Sequence, residues 1–264
     1  MRFLTLKITK MAGNEELVVD YLINQKNSLT LKHLGLVKKI ENPGAGGKLI
    51  DITSTKNLRT ENSAKKADIF INGKGVSIKQ TGSSFLYNRL QRAEMLQVFT
   101  SLGFSNPSRA LSKMDSLIQK FQNGEFESRD RHWSEGFSEP DFAALLEFLM
   151  MKGSPNLGIS AHQASFILTA PKTHIVPNNI SCDTFAEYFA KYKEVIYLSL
   201  RRQWVGQSSN SEHSRATGLA KKTGNLPWVF NEIVGSPRTG WKSDLEFPIK
   251  NRRTVYMIFL TVKP

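Results

Sequence analysis

Asp68 and Lys79 are the residues whose types and spacing suggest chemistry. They lie in Ala67-Asp68-Ile69-Phe70-Ile71-Asn72-Gly73-Lys74-Gly75-Val76-Ser77-Ile78-Lys79-Gln80. Asn72-Gly73-Lys74-Gly75 breaks this run into two alternating stretches, a strong hairpin signal. Alternation sends Ile69, Ile71, Val76 and Ile78 to the core and Asp68, Phe70, Ser77 and Lys79 to the other face. Asp68 begins one strand and Lys79 ends its antiparallel partner, so the pair is expected at one end of the sheet. A carboxylate beside a lysine there suits metal-assisted hydrolysis of a phosphodiester. The carboxylate holds a hard cation such as Mg²⁺ through oxygen, and that cation polarises the phosphate and acidifies a bound water. The ammonium orients the water and offsets charge in the transition state. An exposed Asp and Lys are also common on ordinary hairpins.

The elements around this hairpin must hold it in place. Glu15 to Asn24, after Gly13-Asn14, reads as an amphipathic helix with Leu17, Val18, Tyr21 and Leu22 in its apolar stripe. Pro43 to Gly47 reads as a loop and Leu49–Ser54 as a strand. Ser84 reads as the cap of a helix over about 85–101, with Leu86, Leu90, Ala93 and Met95 toward one side. Further helices are expected near 107–122, 140–152 and 183–193, and strands at Phe166–Thr169, Val195–Leu200 and Thr254–Val262. Arg129 to Trp133 reads as a self-neutralised surface turn with a buried aromatic. Interleaved helices and strands give an α/β or α+β class with a mixed sheet.

The 264 residues carry 36 Lys+Arg against 23 Asp+Glu, a formal charge of +13, with an isoelectric point near 9.8. Residues 201–264 hold 11 of the Lys/Arg and only 4 of the acids, so over half of the excess sits in the last quarter. Such a charge points to polyanions as partners. At 40% hydrophobic residues the composition is globular and not disordered. The single Cys182 excludes an internal disulfide framework and fits a reducing cytoplasm. No run approaches the ~18 apolar residues of a membrane helix, and Met1-Arg2-Phe3-Leu4-Thr5-Leu6-Lys7 is too charged for a secretion signal. A cytoplasmic protein without membrane contact is expected. Gly44-Ala45-Gly46-Gly47-Lys48-Leu49 lacks the spacing and the Ser/Thr of a phosphate loop. The five histidines offer no zinc spacing. No Gly-x-Ser-x-Gly elbow occurs, and Ser160 near His162 reads as loop chemistry.

Asp68 together with Ser77-Ile78-Lys79 resembles the signature of the PD-(D/E)xK nucleases, and within them the type II restriction endonucleases. Glu15, with Val18 and Leu22 three and seven positions on, matches the early-helix Glu of that family, and Glu16 is its less well-registered neighbour. The resemblance covers roughly residues 13–100. It implies a restriction-endonuclease-like mixed sheet flanked by helices, in one domain over 1–264. The catalytic core would span about 13–100 plus strands at 164–200. It implies Mg²⁺ as cofactor, Asp68, Lys79, Glu15 and Ser77 as catalytic positions, and Asp68, Glu15 and the Ile78 carbonyl as metal ligands. Ser77 departs from the family, which has an acid there, and so removes one ligating charge. Glu16 and Asp51 remain open as alternatives to Glu15, with Gln80 a weak helper.

The resemblance further implies DNA contacts from the segment after the lysine strand, at Gln80, Ser83, Ser84 and Asn88. Arg201 and Arg202, which follow an expected strand, Arg215, Lys221 and Lys222 in the long polar loop, and Arg238 and Lys242 in a second Gly-bearing loop are candidates for phosphate or guanine contacts. The expected function is therefore sequence-specific, Mg²⁺-dependent cleavage of double-stranded DNA to 5′-phosphate and 3′-hydroxyl ends. A homodimer is expected because a symmetric site needs two cutting centres. A repair or recombination nuclease of the same superfamily, or a non-catalytic nucleic-acid binder, are the alternative readings.

Overall fold

The computed structural model describes residues 14–44, 47–58, 65–81, 84–123, 125–126, 130–155, 157–199 and 255–262, and it has the mixed α/β class expected from the sequence. Along the chain run α1 (Glu15–Asn24), β1 (Thr30–Leu31), β2 (Gly35–Leu36), β3 (Ile40–Pro43), β4 (Leu49–Asp51), β5 (Ile69–Ile71) and β6 (Lys74–Gln80). There follow β7 (Ser84–Gln91), α2 (Arg92–Ser101), α3 (Pro107–Asn123), β8 (Asp130–His132) and α4 (Glu139–Glu147). The series ends with β9 (Gly153–Ser154), β10 (Gly158–Ile159), β11 (Phe166–Ala170), β12 (Ser181–Asp183), α5 (Phe185–Tyr192), β13 (Ile196–Ser199) and β14 (Val255–Val262). Contacts divide the chain into two units, Met1–Ser83 with Glu147–Tyr192, and Ser84–Leu146 with Lys193–Pro264.

The first unit is built on a mixed six-stranded sheet in the order β12-β11-β6-β5-β3-β4. Its β6 and β11 run parallel, and its other neighbours pair antiparallel. The hairpin forms where the sequence puts it. Asn72 and Gly73 turn with φ of 52° and 77°, the left-handed pair that a two-residue hairpin needs. The Asn72 carboxamide then locks the turn to the preceding strands, accepting from Lys38 and Lys39 N–H and donating to the Leu34 and Leu36 carbonyls. Alternation also holds, because Ile69, Ile71, Val76 and Ile78 are all in the apolar core. Gly75 is required on its own account: a Cβ there would collide with the Gln163 carbonyl.

Helix α1 covers that core with Val18, Val19 and Leu22. Leu17 is half exposed instead, and Val19 takes its place. The contact with the sheet sets the buried stripe at 18/19/22 with Tyr21 partly buried beside it and Leu17 outside, a rotation of the helix that spacing alone leaves open. Asn14 fixes the start of the helix, since its buried carboxamide donates to the carbonyls of Ala170 at 2.9 Å and Pro171 at 2.7 Å. The N-terminus of α1 is thereby tied to the end of β11, next to the end of β6.

The second unit contains an antiparallel sheet in the order β7-β14-β13-β8. Residues 84–91, expected as the first half of a helix, form β7 and only Arg92–Ser101 is helical. Pairing with β14 along the strand decides the matter, because Leu86 and Leu90 satisfy a period of two as well as one of four. Asp130–His132, expected within a surface turn, likewise enters the sheet as β8, paired with β13, while Trp133 just after it is buried as expected. Trp133 stacks on Phe142 at 4.9 Å, and Phe99 on Phe104 at 4.4 Å, within an aromatic core. No helix among the described residues is long and apolar enough to cross a membrane.

Candidate functional site

The polar end of the hairpin is assembled from three approaches. Lys66 and Ala67 N–H both donate to the His162 carbonyl, which guides the chain into Asp68. His162 is itself buried and fixed, its ring Nε2 donating to the Gly44 carbonyl at 2.9 Å. Ser160 Oγ accepts the His162 N–H, so this Ser/His pair shapes a loop and is not a nucleophile with its base. At the end of the β5–β6 pairing, Asp68 Oδ2 accepts the Ile78 N–H at 2.7 Å. Ser77 Oγ lies 3.4 Å from the same oxygen, near the limit of a hydrogen bond. The side chain of Asp68 thus continues the sheet where its backbone leaves it.

From the opposite side, α1 delivers Glu15. Its carboxyl is pushed up from 4.5 to about 7, first by burial and then by the negative charge of Asp68, against the lowering pull of Lys79 and Lys65. Asp68 and Lys79 therefore both act on Glu15 electrostatically. Lys66 joins the group. Burial and the like charge of Lys79 bring its amine down to about 8, while Asp68 opposes the fall. Its Nζ donates to the Leu149 carbonyl at 2.8 Å, in a π-helical turn at Phe148–Lys152, a rare feature frequent at functional sites.

The other candidates are distributed less favourably. Glu16 is exposed. Asp51 is exposed at the sheet edge and pairs with Lys39 at 3.3 Å, while the same amine holds the buried Glu41 at 2.7 Å. Gln80 ends β6 with its side chain half-buried. Ser84 and Asn88 lie on β7 in the second unit, on a strand and not on the expected helix. Ser83, Arg201, Arg202, Arg215, Lys221, Lys222, Arg238 and Lys242 lie outside the described residues.

Lys65 and Lys66 are the residues that reading the sequence missed. The only signal was their position two and three places before Asp68, and nothing in the sequence marks Lys66 as buried. Among the described residues no group of three or more His, Cys, Asp or Glu side chains is spaced to hold a metal ion. Glu15 and Asp68 influence each other through their charges, and backbone or ligand oxygens would have to complete any shell. A comparison with protein-family models, with curated proteins and with solved structures finds no match.

Proposed function

We propose that the protein is a Mg²⁺-dependent endonuclease of the restriction type, with a restriction-endonuclease-like fold, that hydrolyses phosphodiester bonds in double-stranded DNA. The observation that carries this reading is that Asp68, fixed by the Ile78 N–H, and Lys79 both act on the charge of Glu15, whose carboxyl burial and Asp68 push up to about 7. Two carboxyl groups that repel each other at the end of a sheet suit a divalent cation, whose charge removes the repulsion. Asp68, Glu15 and the Ile78 carbonyl would hold it, with water and phosphate oxygens as the remaining ligands. When bound, Mg²⁺ polarises the phosphate and acidifies a coordinated water. The residues of the chain supply the rest. The Ile78 N–H fixes one Asp68 oxygen, Lys79 orients the attacking water, and its charge offsets that gathering on the phosphate. Basic residues at 201–242 would neutralise flanking phosphates, and a homodimer would cut both strands.

The test is incubation with a long natural duplex and Mg²⁺, followed by sequencing of the product ends. Discrete fragments with 5′-phosphates are expected. Asp68→Ala and Lys79→Ala should each lower cleavage by a hundredfold or more, on the order of the loss of one transition-state contact, and leave binding largely intact. Full activity in either variant removes the site. Cutting governed by DNA structure would instead mark a repair nuclease. Ser77, in the place of an acid, favours a second reading, a non-catalytic binder. That protein would bind duplex in a salt-sensitive way and cut with neither Mg²⁺ nor Mn²⁺.

A further inference from the structure

Thr169 stands directly opposite Lys79 in the parallel pairing of β11 with β6. Paired residues of neighbouring strands share a sheet face, so Thr169 is on the face of Ser77 and Lys79. The residue is only 6% exposed. Its Oγ1 is buried and has no hydrogen-bond partner. Leaving such a hydroxyl unpaired costs stability, and valine has nearly the same shape without that cost. The sheet accepts an apolar side chain one step back on this face, where Ile167 is fully buried opposite Ser77. A threonine at 169 therefore works against stability, and conflicts of this kind gather at functional sites. The hydroxyl oxygen is an acceptor, and the side chain beside it ends in an ammonium with three donors.

We propose that Thr169 is a positioning residue for Lys79: when a phosphodiester occupies the site, the Thr169 hydroxyl oxygen accepts one N–H of the Lys79 ammonium and holds that amine at the attacking water. In the free protein the charge of Lys79 acts on Glu15 and Lys66. A ligand that engages the carboxylates releases the amine toward its neighbour on β11. This inference rests on the nuclease reading.

Thr169→Val and Thr169→Ser in the full chain test it, with two readouts. One is the thermal midpoint without DNA or metal, and the other is kcat and KM for duplex cleavage in Mg²⁺. The valine variant should melt at the same or a higher temperature, since it loses an unpaired buried hydroxyl. Its kcat should fall about ten- to a hundredfold, the effect of a misplaced catalytic group, with KM nearly unchanged. Serine should restore most of the rate. A valine variant as fast as the wild type overturns the proposal. So does one that melts lower, which would show a packing role for the hydroxyl. If the wild type cuts and Asp68→Ala does not, either result removes the positioning role alone. A wild type that cuts no duplex removes the nuclease reading and this inference with it.

Discussion

Two glutamates sit in the first turns of helices in the first unit, Glu15 in α1 and Glu187 in α5, where the helix dipole favours negative charge in both. Glu187 is surrounded by donors. Lys32 Nζ and His33 Nε2 each approach at 2.7 Å, and Thr184 donates its N–H at 2.8 Å and its hydroxyl at 2.9 Å. The lysine first, then the Thr184 N–H, hold this carboxyl far below the usual carboxylate range. Glu15 is pushed the other way, by burial and by Asp68. A saturated carboxylate is finished structure: it caps α5 and ties it to the loop at residues 32–33. A carboxyl kept from ionising beside another acid leaves an interaction to be made. The same residue type at the same kind of position is thus structural in one place and a site candidate in the other.

Removing Asp68 should collapse this difference most strongly. In Asp68→Ala the repulsion on Glu15 disappears while Lys79 and Lys65 remain. Its pKa should fall from about 7 toward its ordinary 4.5, stopping above it because burial, the larger cause, persists. Carboxyl NMR titration of labelled Glu reads this directly. A Glu15 pKa unchanged by the substitution would show that the two acids do not share a site. The same variant should lose cleavage by about a hundredfold or more.

The next effect is on stability against pH. Glu15 binds its proton more tightly folded than unfolded, so the folded chain holds more protons between pH 4.5 and about 7. Stability should therefore fall as pH rises through that window and level off above it. After allowance for solvent screening of a half-buried group, the drop is about 2 kcal/mol. Glu15→Gln should flatten the slope in urea unfolding across that range. A wild-type profile that rises through the window would contradict the sign.

How far the sequence revealed these places depends on the range of the forces involved. The hairpin was legible because Asn72-Gly73 and the alternation of Ile69, Ile71, Val76 and Ile78 are local signals. Glu15 was picked out by a resemblance, through its spacing to Val18 and Leu22 on one helix, and not by any force readable from the sequence. Residues 84–91 were not legible, because their partner strand lies more than 160 positions away at Val255–Val262 and Leu86 and Leu90 fit both periods. Lys66 was not legible either. Its lowered pKa comes from burial and from Lys79, which no run of neighbours announces. Thr169 looks like any strand threonine until its register with Lys79 and its unpaired hydroxyl are known. Glu187 could have been read in part, as Thr184 and Glu187 have the spacing of a capping box, but Lys32 and His33 come from a distant loop.

The smallest effect concerns that satisfied cluster. Glu187→Gln keeps an acceptor for the Thr184 N–H and hydroxyl, so the cap survives and only the charge is lost. A carboxyl held below its ordinary 4.5 gives stability that is fully present above that pH and disappears as pH falls through the folded value. The wild type should therefore exceed Glu187→Gln in urea midpoint at pH 7, and the gap should begin to narrow as pH falls below 4.5. Because the side chains of Lys32 and Glu187 are 61% and 37% exposed, salt should narrow the gap at pH 7 as well. A gap that stays constant from pH 7 down to pH 3 would assign the contribution to hydrogen-bond geometry. It would also remove Glu187 as the charge-saturated counterpart of Glu15.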